Sequence, residues 1–269
     1  MRYTKMHGAG NSFILTDALH GELAGEDLGV LARRLCSPLT GPGADGLIVL
    51  VPAEDADVGM LFYNDDGSTG EMCGNGARCL ARYAVEHGLA RDDQDVRILA
   101  PAGLVRARRI GREIYEVRLN DPSVVDLHRE AEGEDCAYVE LGDPGIPHAV
   151  VEVGEAAFGD PDALRERGRA LRRSAAFPRG ANVSFVSLLD GRRARAITFE
   201  RGVEDFTLSC GTGCGAIAVS LLLRGRLKEP AVTIDMPGGR LSVSLRREGD
   251  AARDLFLTGP TAVVEEGEA

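Results

Sequence analysis

The sequence predicts an α/β protein of the α+β kind, built as two similar halves that each hold one glycine-started helix among many strands. Three observations lead there. First, CGNGARCLARYAVEHG, from Cys73 to Gly88, returns as CGTGCGAIAVSLLLRG, from Cys210 to Gly225, at a constant offset of 137 residues. Similarity at a fixed spacing is the mark of a repeated structural unit. Second, VRILAPAG, Val96 to Gly103, matches VTIDMPGG, Val232 to Gly239, at an offset of 136, so the repeat extends beyond the helices. Third, short runs of alternating apolar and polar residues surround both helices, the period-two pattern of half-buried strands.

Taken along the chain, the first half offers strands at RYTKMH, SFILTD, GLIVLV and GMLFYN, and the second at AYVEL, HAVVEV, NVSFVSL, AITFER, LSVSL and DLFLTG. Both repeated segments read as helices because their apolar residues recur at helical spacing, and each stops at a glycine placed to end a helix, Gly88 or Gly225. A weaker helix is expected near Asp27 to Leu35 and another, with a strongly charged surface, near Pro161 to Leu171. The Asp121-Pro122-Ser123 interruption puts a boundary near residues 120–122, which divides the chain into residues 1–119, joined by the final strand at about 259–269, and residues 120–258.

Composition narrows the function. With 44% hydrophobic and 27% charged residues the chain is of ordinary globular character, and 269 residues can bury a substantial core. A net charge of −11 repels phosphate backbones, so nucleic acid is not an expected partner. The opening MRYTKMHGAGNSF carries no apolar leader, and the longest apolar stretch, Ala216 to Leu223, is too short to span a bilayer. A cytoplasmic protein without a membrane partner is expected, with its six cysteines as reduced thiols. The only lysines are Lys5, in the first strand, and Lys228, in a polar LKEP turn. Neither sits in a pocket-like context, which disfavours pyridoxal phosphate chemistry, since that cofactor needs a lysine for its Schiff base.

The repeated C-G-x-G carries the chemistry. A helix N-terminus presents unpaired N–H groups and roughly half a positive charge, and Gly-x-Gly lets the backbone turn those groups toward a ligand such as a carboxylate. A cysteine at that point is expected to have its thiolate stabilised, drawing its pKa down from about 8.5. Taken singly, such a cysteine is a small core residue; duplication turns the reading toward function. Two thiols on opposite faces of one α-carbon invert a stereocentre, one removing the proton and the other returning it, with helix N–H groups holding the α-carboxylate. No metal or cofactor is required.

At this point the residues resemble a known family, the diaminopimelate epimerases, which interconvert LL- and meso-diaminopimelate for lysine and peptidoglycan synthesis. MHGAGNSF, GADGLIV, FYNDDGS, CGNGARC, PHAVV, NVSF, FERG, CGTG and the closing LTGP resemble its successive motifs in order, almost from end to end. The resemblance implies two pseudo-symmetric halves, each a mixed sheet wrapped round a central helix, and a small-molecule amino-acid substrate. It implies that Cys73 and Cys210 are the catalytic thiols and that Gly74, Asn75, Gly211 and Thr212 grip the reacting carboxylate. Asn11, Asn64, Asn182, Glu200 and Arg201 match the residues for the distal amino and carboxylate groups, and His148 and Glu200 match residues near the reacting centre that could set thiol protonation. Without the family match, Asn11 and Asn64 read as turn formers, Glu200 and Arg201 as a solvated pair, and His148 as a structural histidine. Cys36, Cys79, Cys136 and Cys214 read as core.

Three positions depart from the family pattern. Ile146 stands for the asparagine of a G-N-P-H motif and Gly46 for a glutamine, which thins the distal contacts. Glu265 stands for an aromatic residue of the homodimer interface that the resemblance implies.

Rival readings are weaker. Gly211, Gly213 and Ala216 spell G-x-G-x-x-A, with Asp235 at a strand end downstream, the fingerprint of a nicotinamide-dependent oxidoreductase. The first half has Cys79 and Leu99 at the matching places, so the repeat preserves the thiols and not the fingerprint. A structural zinc site on Cys73, Cys79, Cys210 and Cys214 departs from the usual C-x2-C spacing. A non-catalytic amino-acid binding module, and a racemase of another amino acid on the same scaffold, complete the alternatives.

Overall fold

The structure, a computed structural model, describes residues 1–21, 23–70 and 72–269. The chain divides into two compact units, Met1–Val117 with Thr258–Ala269, and Arg118–Leu257.

In the first unit β1 (Arg2–Gly8), β2 (Asn11–Asp17), helix α1 (Leu28–Cys36), β3 (Gly46–Val51), β4 (Val58–Asn64) and β5 (Thr69–Gly70) precede helix α2 (Gly74–Glu86). Strands β6 (Val96–Ala100), β7 (Gly103–Arg109) and β8 (Ile114–Arg118) follow it. β1 lies antiparallel to β2, β2 parallel to β3, β3 antiparallel to β4, and β4 parallel to β6. Helix α2 packs on β1, β2, β6 and β7 and is buried from Gly74 to Ala84.

The second unit repeats the plan. It runs through β9 (Pro122–Ala131), β10 (Glu134–Leu141), β11 (Ile146–Glu152), helix α3 (Pro161–Arg172), β12 (Asn182–Leu188), β13 (Arg193–Phe199) and β14 (Phe206–Thr207) to helix α4 (Gly211–Leu223). Then come β15 (Ala231–Met236), β16 (Gly239–Glu248) and β17 (Ala251–Pro260), whose last residues belong to the first unit. β10 is antiparallel to β11, β11 parallel to β12, β12 antiparallel to β13, and β13 parallel to β15, the same succession as in the first unit. Helix α4 packs on β10, β11, β12, β15 and β16. It is apolar all round, as a helix with no solvent face must be. Each fully buried side chain such as Ile217 or Leu221 contributes about 1.5–3 kcal/mol relative to exposure. The closing strand β18 (Ala262–Glu268) pairs antiparallel with β1.

Local sequence accounts for the helix ends. Asp27 caps α1 by accepting from the Gly29 and Val30 N–H groups, both at 3.0 Å. Asp160 caps α3 at the Ala163 N–H, 3.0 Å, with Pro161 in the first helical position. Gly88 and Gly225 follow α2 and α4 with φ of 71° and 69°, the left-handed conformation that glycine adopts at no steric cost. α3 buries only Leu164, Gly168 and Leu171 and keeps a charged outer face. Among the described residues no helix is long and apolar enough to cross a membrane.

Two expectations change in detail. The AITFER run leaves the ladder at Phe199, because the Glu200 N–H turns back to the Asp205 carbonyl and the Arg201 N–H goes to the Asn182 side chain. Strands β7, β8 and β9 were not foreseen, since charged residues such as Arg106, Arg108, Arg118 and Glu130 dilute their apolar signal, whereas β18 is the final strand expected after Gly259.

Candidate active site

Cys73 and Cys210 occupy the same place in the two units: each is the N-cap of its central helix. Their backbones are alike, φ −134° and ψ 115° for Cys73 and φ −122° and ψ 108° for Cys210. The Cys73 sulfur accepts from the Gly76 N–H at 3.5 Å, and the Cys210 sulfur from the Gly213 N–H at 3.4 Å. Sulfur thus fills the role that a serine or aspartate oxygen usually fills at a helix start. The second glycine of C-G-x-G serves packing rather than approach to a ligand. A Cβ on Gly76 would lie 2.8 Å from Ile48 Cδ1, and one on Gly213 would lie 3.1 Å from both Ser184 Oγ and Thr198 Oγ1. Glycine at that point lets each helix start settle onto its own sheet.

In the first unit the structure gathers Cys73, Gly74, Asn75 and Asn11. Cys73 is half-buried, and its thiol donates to Asn11 Oδ1 at 3.7 Å. Asn75 Nδ2 reaches the same oxygen at 3.5 Å. Two residues that sequence reading missed hold this group. Asp45 Oδ2 accepts from Asn11 Nδ2 at 3.0 Å, the Ser12 N–H at 2.6 Å and the Ser12 hydroxyl at 3.0 Å. Arg78, fully buried, donates to Asn75 Oδ1 at 2.8 Å. Asn64 ends β4, and its amide is engaged with the Ser68 hydroxyl at 2.9 Å in the turn that follows. Gly46 faces Asn64 across the β3–β4 ladder, and a Cβ there would lie 2.6 Å from the Phe62 ring and 2.8 Å from the Tyr63 carbonyl. The Phe62 ring therefore takes up the space that a longer side chain at Gly46 would need.

In the second unit Cys210, Thr212, Glu200, Asn182, Arg201 and His148 cluster. Cys210 is only 5% exposed, and its sulfur lies 3.6 Å from the Thr212 hydroxyl. Burial pushes its thiol well above the ordinary range, and the Glu200 carboxylate pushes the same way, against the Thr212 hydroxyl and the Gly213 N–H. The sequence-based expectation of a thiol drawn down by the helix start is overturned at Cys210, because burial and a neighbouring carboxylate outweigh the N–H groups. Glu200 is itself raised by burial, with hydrogen bonds from Thr207 and Cys210 opposing. The Thr207 hydroxyl, absent from the sequence-based assignments, donates to Glu200 Oε1 at 2.5 Å.

Asn182 Oδ1 accepts the Arg201 N–H at 2.8 Å, while Arg201 Nη1 donates to the Arg179 carbonyl at 3.1 Å. His148 faces Asn182 in the parallel β11–β12 pair and is wholly buried, with no hydrogen-bond partner for either ring nitrogen among the described residues. Burial, helped by the charge of Arg201, brings its pKa down to about 3, so the ring is neutral at physiological pH. Ile146, half-buried, pairs with Leu141.

Cys36, Cys79, Cys136 and Cys214 are buried, and burial pushes Cys36 and Cys79 up to about 12 and Cys136 to about 11. They are inert thiols of the core. Asp235, the acid of the dinucleotide-like fingerprint, accepts from Arg193 Nε and Arg240 Nε, both at 2.7 Å, so its carboxylate is already committed. Among the described residues no group of three or more His, Cys, Asp or Glu side chains is placed to hold a metal ion.

The model of the diaminopimelate epimerase family matches residues 3–117 and 142–264. The diaminopimelate epimerase of Methanothrix thermoacetophila is 38% identical, over 99% of this chain and 95% of that protein. That of Carboxydothermus hydrogenoformans is 33% identical, over 100% of this chain and 99% of its own length. Among solved structures, a hydroxyproline epimerase from Agrobacterium vitis superposes with a TM-score of 0.69 at 21% identity, over 100% of this chain and 90% of that one, a likeness of fold.

Proposed function

Since the chain belongs to the diaminopimelate epimerase family, we propose that it interconverts LL- and meso-diaminopimelate, with Cys73 and Cys210 carrying the proton at the α-carbon. The observation that carries the reading is the pair of helix-capping thiols with matching backbone geometry and matching sulfur-to-N–H contacts. Inversion needs one proton carrier on each face of the carbon. In the step as proposed, one sulfur, as thiolate, takes the α-proton. The C–H electron pair moves into the α-carboxylate, which gains enolate character, and the other sulfur, as thiol, returns a proton to the opposite face. Helix-start N–H groups at Gly74, Asn75, Gly211 and Thr212 face negative charge as it builds, which is where preorganised donors lower a barrier most.

Burial and the charge of Glu200 favour the protonated form of Cys210, so Cys210 enters the cycle as the acid. Neutral, wholly buried His148 is not a proton carrier at neutral pH. Asn11, Asn64, Asn182, Glu200 and Arg201 take the distal amino and carboxylate groups, with Arg201 offering a guanidinium fork. Neither proton carrier needs a cofactor. A reducing, cytoplasmic setting belongs to the same proposal, because both sulfurs must stay thiols. If the protein dimerises, its interface must accommodate Glu265, which accepts from the Tyr3 hydroxyl at 3.1 Å.

The test is α-deuterium uptake from D2O into LL-diaminopimelate, followed by NMR, for the wild type and for Cys73→Ser and Cys210→Ser. Both variants are expected to lose epimerisation, and near-normal turnover by either overturns the two-thiol reading. A racemase of a different amino acid is favoured by Phe62 filling the space over Gly46 and by apolar Ile146. Running the same exchange over a panel of amino acids separates the two substrates.

A further inference from the structure

The amides of Asn11 and Asn75 lie side by side next to Cys73, and an amide can present either a carbonyl oxygen or an NH2 group to its neighbour. Here the choice is forced from both ends. Asp45 can only accept, and it takes Asn11 Nδ2 at 3.0 Å while anchored on the Ser12 N–H at 2.6 Å. Arg78 can only donate, and it takes Asn75 Oδ1 at 2.8 Å from a fully buried site. With Asn75 Oδ1 turned to Arg78, Asn75 Nδ2 faces Asn11; with Asn11 Nδ2 turned to Asp45, Asn11 Oδ1 faces both Asn75 and the sulfur.

We propose that Asp45 and Arg78 are positioning residues which lock the Asn11–Asn75 amide pair so that a carbonyl oxygen, and not an NH2 group, faces the Cys73 sulfur. That oxygen at 3.7 Å accepts from a thiol and repels a thiolate, so the lock holds the proton on Cys73 until substrate competes for Asn11. Reversal of the Asn11 amide would place an N–H donor against the sulfur and favour the thiolate instead. The inference deepens the proposed function, for it rests on Cys73 being a proton carrier.

The test reads Cys73 in the empty enzyme. Iodoacetamide labelling of Cys73 and Cys210 is followed by peptide mass spectrometry at one pH, with Cys210 as the internal standard for intact folding. Asp45→Ala, which releases Asn11, is expected to raise Cys73 labelling relative to Cys210 by about three- to tenfold, the worth of one neutral hydrogen bond. Asp45→Asn, whose oxygen can keep all three donors, is expected to stay within about twofold of wild type on the same scale. In an Asn11→Ala background Asp45→Ala is expected to add nothing, because its effect passes through Asn11. The proposal is overturned if Asp45→Ala leaves the ratio unchanged, if Asp45→Asn moves it equally, or if the effect persists without Asn11. Should Asp45→Ala label Cys210 at the rate of unfolded chain, Asp45→Ser carries the same comparison, since its shorter side chain can still serve Ser12 without reaching Asn11. No substrate is present in the labelling, so a failure here is distinct from a failure of the turnover experiment.

Discussion

Thr207→Val removes the hydroxyl that donates to Glu200 Oε1 at 2.5 Å and leaves a side chain of similar shape. Burial already holds the Glu200 carboxyl above its ordinary range, and Thr207 is the larger of the two hydrogen bonds that oppose it. A hydrogen bond to a charged group is worth about 1.5–3 kcal/mol, or about one to two pH units of protonation. Glu200 is only partly buried, so water replaces part of the lost bond and about one unit is the expected shift. The direction is upward, since the lost bond favoured the ionised form. A neutral Glu200 cannot hold an ammonium group, so the acidic limb of kcat/KM for α-deuterium exchange should move about one pH unit to higher pH, with the plateau above it retained. Thr207→Ser keeps the hydroxyl and should restore the wild-type limb. Stability should follow the same sign: a carboxyl raised on folding favours the fold below its unfolded pKa and loses that contribution as pH rises through the folded value, so the cost of Thr207→Val should be largest at pH above that folded value. A Thr207→Val limb that coincides with wild type, or a Thr207→Ser limb displaced as far as that of Thr207→Val, refutes the reasoning.

His148 supplies a second pH prediction: a histidine lowered to about 3 on folding contributes full stability above about pH 6.5 and loses it as pH falls toward the folded value, by up to about 1.4 kcal/mol per unit. Urea unfolding at pH 6.5 and 5 should show that slope in wild type and a flatter one in His148→Asn; equal slopes would show that His148 does not cause it. Arg201→Ala should weaken a two-carboxylate substrate by about 1.5–3 kcal/mol, about ten- to a hundredfold in binding, and an unchanged KM removes Arg201 from the site. Gly46→Ala should destabilise by about 1–3 kcal/mol, because its methyl would meet the Phe62 ring at 2.6 Å and the Tyr63 carbonyl at 2.8 Å. A melting temperature equal to wild type would show that the sheet yields there without cost.

Much of the fold was legible in the chain because its signals are local. The helices α2 and α4 begin after Cys73 and Cys210 and end before Gly88 and Gly225, as a cap residue at one end and a left-handed glycine at the other dictate. The apolar runs became strands wherever one face is buried against the unit's helix. Strands rich in exposed charge escaped, β7 with its Gly-Leu-Val-Arg-Ala-Arg-Arg sequence among them, since alternation is hard to see when the outer face dominates. Arg78 and Arg82, charged residues on a helix, are both buried, one bonded to Asn75 and the other to the Thr261 carbonyl. Thr261 lies 179 residues from Arg82 along the chain, and a partner that distant leaves no pattern in the helix.

By itself the sequence determined the repeat, the two helix-capping cysteines and the residue types able to bind carboxylate and amine, because spacing, caps and side-chain chemistry are written residue by residue. Only the tertiary structure decided the state of those groups. Asp45 stands 34 residues from Asn11 in the chain and yet sets which end of that amide meets Cys73. Glu200 and the depth of burial, not the helix start, decide that Cys210 keeps its proton. Protonation and amide orientation follow from the sum of nearby charges, donors and lost water, and that sum exists only once distant segments have been brought together.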